Sequence, residues 1–222
     1  MFTLEIFHKS ILVFCQLEIY SGNIQKGKCM IKKRKYHHGN LKKALILSAR
    51  DLLKKDGLNG LTLRKCAEHV GVSHTAPKNH FGNMAGLLTA IVTEAYSELA
   101  QMMKIEQIDG TTREQRRQAA LLGYVSFAKR NPSLYELMFS HNRLVNDDPD
   151  LMREVGACFI ILADIAEDLG WYDGNVDEVN GKSQVALWSL VHGYAQLVTA
   201  GRFKKTNMQN LSILDIFPSV TK

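Results

Sequence analysis

Apolar positions along this chain recur mostly at three- and four-residue spacing, and no stretch reads convincingly as a strand. From Asn40, "NLKKALILSARDLLKKDG" puts Leu41, Leu45, Ser48 and Leu52 on one helical face, with Ala44 and Ala49 beside them. Asn40 suits the N-cap and Gly57 the stop. Thr62 can cap "LRKCAEHV", whose Leu63, Cys66, Ala67 and Val70 share a face, and Gly71 ends it. Ser73 is the expected cap of the next stretch, and Asn83 of a long helix through Leu87, Leu88, Ile91, Ala95 and Leu99. Thr112 and Gln115 have capping-box spacing before a helix that runs to Arg130. Pro132 suits the first turn of "PSLYELMFS". Asp148 and Pro149 open a helix expected to end at Gly170, a long apolar one runs from about Val176 to Ala200, and "LSILDIF" makes the last. The expected fold is all-α, with about nine helices.

The stretch "GVSHTAPKNHF" at 71–81 is the odd member. A helix this short does not hold itself together in water, because nucleation fixes several residues for one hydrogen bond. It also lacks a substantial apolar face of its own. Joined to the preceding segment, "TLRKCAEHVGVSHTAPKNHF" reads as two helices meeting at a tight turn around Gly71, with Val72 beneath it. That is a helix-turn-helix layout, in which the second helix enters a major groove. Val72, Pro77 and Phe81 would anchor the helix on its neighbours and leave its polar side free.

Charge sharpens this picture. Residues 32–80 hold twelve Lys/Arg against three Asp/Glu, whereas residues 81–222 hold thirteen against seventeen. A basic head on a mildly acidic body fits a polyanion-binding module joined to a part with another task. The four cysteines have no paired spacing, which argues against a zinc ribbon or a disulfide framework and fits a reducing cytoplasm. His69, His74 and His80 lack a cysteine partner and a clear common face, so no metal is expected, and no cofactor either. No uncharged run approaches the roughly 20 residues of a membrane span.

"YHHGNL", Ala67, "GVS" and "HF" followed by "LL" together resemble the N-terminal DNA-binding domain of the TetR family of bacterial transcriptional regulators, over about residues 36–90. "LWSLVHG" at 187–193 resembles the Trp-x-x-x-His-Gly segment in the C-terminal domain of one TetR subgroup. The resemblance implies double-stranded DNA, a near-palindromic operator, as partner. Thr62 would hold a phosphate at the second helix's N-terminus. Arg64 would reach backbone or a base edge. Ser73 would cap the reading helix, and His74, Thr75 and Ala76 would face base edges. Lys78, Asn79 and His80 would sit near phosphates, while the arm Lys32, Lys33, Arg34 and Lys35 follows the backbone or enters a minor groove. Two positions depart from the family: Lys78 stands where tyrosine is usual, and Met84 where lysine is common.

The division expected from these signals is an extension at 1–31, a DNA-binding head at 32–84, and an effector-binding and dimerisation part at 85–222. The extension lacks the clean apolar core and cleavage site of a signal peptide. Lys26, Gly27 and Lys28 have purine-rich codons just before Met30, so translation is expected to start there, with an amphipathic extension as the alternative. In the larger part, Trp188 and His192 are four residues apart on one helix face. With Phe127, Met138 and Phe159 they are the expected wall of a small-molecule effector pocket, as the resemblance implies. The long helix at 176–200 and the last helix are expected to pair two copies as a homodimer. The function expected is a repressor released from its operator by an effector. An effector-independent architectural DNA binder and an enzyme using the C-terminal pocket stay open as alternatives. No nucleophile elbow or phosphate loop supports the enzyme.

Overall fold

The computed structural model describes residues 41–104, 111–204 and 206–218. The extension at 1–31, the arm Lys32 to Lys35 and the expected Asn40 cap lie outside the described residues. Among the described residues there are nine α-helices and no strand. In chain order they are α1 (Leu41–Gly60), α2 (Leu63–Val70), α3 (Ala76–Phe81), α4 (Met84–Lys104), α5 (Arg113–Arg130), α6 (Pro132–Met138), α7 (Pro149–Ala166), α8 (Val176–Thr199) and α9 (Ile213–Ile216).

Most boundaries lie where local chemistry places them. The Thr62 hydroxyl accepts the Lys65 N–H at 3.2 Å, and the Asn83 side chain accepts the Gly86 N–H at 3.0 Å. Thr112 and Gln115 form both halves of a capping box. Asp148 accepts the Leu151 N–H at 2.9 Å, and Ser212 with Asp215 makes a second capping box. Gly57 breaks the helical run within α1, with φ 68° and ψ −178°.

Helix α1 buries Leu45, Ile46, Ser48, Ala49 and Leu53, a wider face than the sequence spacing marks. The reason is that α1 packs on α2, on α4 and on α6, so more than one of its sides is covered. Helices α4, α5, α7 and α8 form the long-helix body, with α6 wedged among α1, α4 and α5, and α9 lying on α5. One continuous apolar cluster runs from Leu45 in α1 to Ile213 in α9. Arg50 of α1 grips Glu98 of α4 through both terminal nitrogens, one bond measuring 2.8 Å, with Glu94 at 3.9 Å. Burial pushes the Glu94 carboxyl up, against the pull of Arg50. Head and body are thus joined by apolar packing and a half-buried ion pair. Among the described residues, no helix is long and apolar enough to cross a membrane.

The end of α7 differs from expectation. Helix α7 ends at Ala166, four residues before Gly170. Glu167 turns to extended backbone (φ −62°, ψ 147°), and Asp168 takes a positive φ of 58°. The terminator comes from α5. The buried Arg117 donates to the Ile165 carbonyl at 2.6 Å and to the Glu167 carbonyl at 3.0 Å, with Glu114 closing its other side. Its neighbours complete a clamp: Arg113 pairs with Glu167 and Asp168, and Arg116 with Asp164. A guanidinium that satisfies the last carbonyls of a helix also offsets the negative end of its dipole.

Arg117→Ala would leave two inner carbonyls without their donor and Glu114 without its cation. We expect a loss of about 3 kcal/mol in urea unfolding. A loss under about 1 kcal/mol would show that water replaces the guanidinium freely.

Candidate nucleic-acid interface and aromatic wall

Turn and helix at 71–81 are built by glycine and proline chemistry. Gly71 adopts the left-handed conformation (φ 78°, ψ 36°) and its N–H closes α2 on the Ala67 and Glu68 carbonyls. Pro77 has no N–H to give the Ser73 carbonyl, so that carbonyl is taken instead by the Ala76 N–H at 3.0 Å in a tighter turn. Regular helix therefore starts at Ala76 and not directly after Ser73. Ser73 still serves the entry: its hydroxyl accepts the Thr75 N–H at 3.3 Å and meets the Thr75 hydroxyl at 2.9 Å.

The anchoring is one-sided. Pro77 is buried, and Val72 and Phe81 pack on the core. Ser73, His74, Thr75, Lys78, Asn79 and His80 are exposed, and Ala76 is half-buried. Each fully buried apolar side chain is worth roughly 1.5–3 kcal/mol, enough for two or three anchors to hold six residues that cannot nucleate alone. Thr62 and Arg64 are exposed on α2, at the adjoining helix. The structure thus brings Thr62 at the start of α2, Arg64 on it, and residues 73–80 of the adjoining turn and α3 onto neighbouring elements. His69 belongs elsewhere: its Nδ1 lies 3.1 Å from the buried Ser48 hydroxyl, which also donates to the Cys66 carbonyl at 3.3 Å, tying α1 to α2. Glu68 is a residue that sequence reasoning passed over. Its carboxylate accepts the Arg64 Nε–H at 2.9 Å, an i,i+4 pairing that spacing alone could have signalled.

In the body, three of the five expected pocket residues meet. Phe159 of α7 stands edge-on to Trp188 of α8 at 5.3 Å between ring centroids, and Trp188 lies 6.3 Å from His192. Phe127 is fully buried on α5 and Met138 nearly so on α6, and neither has a ring contact with this group among the described residues. Other side chains complete the wall. Phe139 reaches 4.4 Å from the His192 ring, and the Tyr124 and Tyr135 hydroxyls converge on His192 Nδ1 at 3.1 and 2.8 Å. The two hydroxyls are 3.3 Å apart. With the Tyr135 proton given to the Tyr124 oxygen, a neutral imidazole completes the knot, either accepting the Tyr124 O–H at Nδ1 or donating from Nδ1 to the Tyr135 oxygen. Burial agrees, pushing the His192 imidazole down to about 4 and the Tyr124 hydroxyl well above its ordinary range. The knot ties α5, α6 and α8, and α6 also touches α1 of the head. Two surface hollows are lined by other residues, one by Trp171, Tyr172, Ala186 and Leu190, the other by Leu122, Lys129, Tyr194 and the 209–213 segment.

The comparisons with known proteins follow this geometry. Residues 118–215 match the family model described as tetracyclin repressor-like, C-terminal domain. The chain is 27% identical over 119 residues to the nucleoid occlusion factor SlmA of Serratia proteamaculans (strain 568), a match spanning 54% of this chain and 60% of that protein. Among solved structures, a protein of unknown function from Rhodococcus sp. RHA1 is similar at TM-score 0.64 and 26% identity, covering 82% of this chain and 91% of that one. A TetR transcriptional regulator from Streptomyces coelicolor shares the fold at TM-score 0.55 and 18% identity, over 71% of this chain and 72% of that one.

The knot makes a prediction in pH. Folded His192 stays neutral down to about 4, while the unfolded imidazole protonates from about 6.5. The unfolded state therefore binds more protons in that window, and stability falls with pH through it, by about 3 kcal/mol from this group. In His192→Gln that portion of the slope should vanish in urea titrations between pH 6.5 and 4. An unchanged slope would mean that the imidazole is not held neutral.

Proposed function

We propose that the chain, whose residues 118–215 match the tetracyclin repressor-like C-terminal domain model, is a TetR-family repressor that binds operator DNA as a homodimer and is released by a small molecule bound in its C-terminal body. The observation that carries this is the one-sided turn and helix at 73–81, anchored at Pro77 and open along His74, Thr75, Lys78, Asn79 and His80. In this reading Thr62, at the head of α2, adds a phosphate contact through free N–H groups and the helix dipole. Arm residues Lys32 to Lys35 would lengthen the contact along the backbone.

Pairing is supported by the outward faces of α7 and α8. Ile160 is 72% exposed and Val185 40%. A methyl added at Gly156, Gly181 or Gly193 would meet nothing, so these helix faces are bare of neighbours within the protomer. Apolar and small residues on two adjacent helices suit a second copy packed against them, a two-fold arrangement that sets the separation of two reading helices. Such a regulator works in the cytoplasm, on the cell's own DNA.

Release by an effector is supported by the aromatic wall, whose knot meets α6 and through it α1. A ligand shifts DNA affinity only if it binds the two arrangements of the heads unequally. A second reading, a DNA binder without effector, draws on the ring contacts that already fill the wall and on hollows that lie elsewhere. A panel of apolar compounds that leaves thermal stability flat would favour it.

Selection of bound fragments from genomic DNA by the purified protein tests the main reading. We expect an enriched near-palindrome, bound with a log–log salt slope near −7 if a dimer neutralises about eight phosphates. Lys78→Ala should weaken binding on all sequences alike and flatten that slope by about one per subunit, leaving the preferred sequence intact. The absence of any enriched palindrome would overturn the reading.

A further inference from the structure

Across residues 57–93 the chain carries a single carboxylate, Glu68, in the midst of the proposed DNA-facing helices. A bare negative charge there opposes the phosphates and weakens binding. Its placement is specific. Glu68 and Arg64 are four apart on α2, both exposed, and the Glu68 oxygen accepts Arg64 Nε–H at 2.9 Å. The Arg64 hydrogen bond, with the charge of Arg64 behind it, holds the carboxyl below its ordinary range, so it is ionised at neutral pH.

Which nitrogen Glu68 takes decides what Arg64 can do. A guanidinium has five N–H groups in a rigid planar fork. With Nε engaged by the carboxylate, the two terminal nitrogens have no partner among the described residues, and the end-on pair of N–H groups opposite Nε stays available. An unbuttressed arginine swings among phosphate oxygens. One pinned at Nε presents its end in a fixed plane, the geometry that matches guanine O6 and N7. In water such an exposed pair is loosely held, but it tightens where a DNA surface excludes solvent.

Resting on the operator-binding reading above, we propose that Glu68 is a positioning residue for specificity: it buttresses Arg64 so that the guanidinium reads one guanine in each half-site instead of binding backbone phosphate. The cost of the negative charge in total affinity is exchanged for discrimination at one base pair.

The experiment starts from the site that the wild-type protein selects out of random duplexes. Equilibrium binding is then measured for wild type, Arg64→Ala, Glu68→Ala and Glu68→Gln, on that site and on duplexes with each G·C pair in turn changed to A·T. We expect one G·C pair per half-site whose replacement costs wild type about tenfold or more. Arg64→Ala should lose that discrimination entirely. Glu68→Ala should lose most of it, while its affinity for random duplex stays level or rises with the lost negative charge. Glu68→Gln, which keeps an acceptor oxygen, should fall between. Full discrimination retained in Glu68→Ala would overturn the proposal, as would an Arg64→Ala variant weakened equally on every duplex. A wild-type protein that selects no sequence at all would instead sink the operator-binding reading beneath it.

Discussion

Pro77 is buried while Lys78, Asn79 and His80 beside it stand in solvent. That asymmetry is the constraint on which the rest of the molecule depends. A six-residue helix gains too few hydrogen bonds to offset its ordering, so it exists only because α1, α2 and α4 receive its apolar side. The body then holds the head in place. Leu45, Ala49 and Leu53 of α1 join the same apolar cluster as Leu87, Leu88 and Ile91 of α4, and Arg50 adds a directional grip on Glu98. A reading surface gains sequence discrimination only when its side chains are positioned before contact, and rigid packing beneath an exposed face supplies that.

The same logic links the body to the head. Helix α6 is short, begins with Pro132, and packs at once on α1, α4 and α5. Its Tyr135 hydroxyl meets Tyr124 of α5 and His192 of α8. Helix α8 is thus joined to α1 through one half-buried polar contact and one short helix. Buried networks of this kind fix a single arrangement when every member is satisfied and release it when one is lost. Coupling of this form is reciprocal: whatever loosens the head on binding in the body must itself bind less well when DNA is held.

Most helix starts were legible in the sequence because their signals are local. Thr62, Asn83, Thr112, Asp148 and Ser212 each cap the helix they precede, through partners two or three residues away. The turn at Gly71 and the anchors Val72, Pro77 and Phe81 were equally readable, since glycine and proline chemistry acts within a few bonds. The end of α7 was not. Its terminator, Arg117, is 48 residues from the carbonyl of Ile165 that it caps, and no local pattern announces it. The wall was half legible for the same reason. Trp188 and His192 share a helix face by spacing, whereas Tyr124 meets His192 from 68 residues away. Phe127, also expected in the wall, lies fully buried on α5. Glu68 was missed for a different reason: charge summed over the segment hides which of its three carboxylates stands among the proposed DNA-facing helices.

The central claim is that the body holds two one-sided reading helices at the separation of successive major grooves. Hydroxyl-radical and methylation protection on the selected duplex tests it most directly. The account predicts two protected patches on one face of the DNA, their centres about one helical turn, ~34 Å, or slightly more apart. A single patch, or two patches on opposite faces of the duplex, would contradict it.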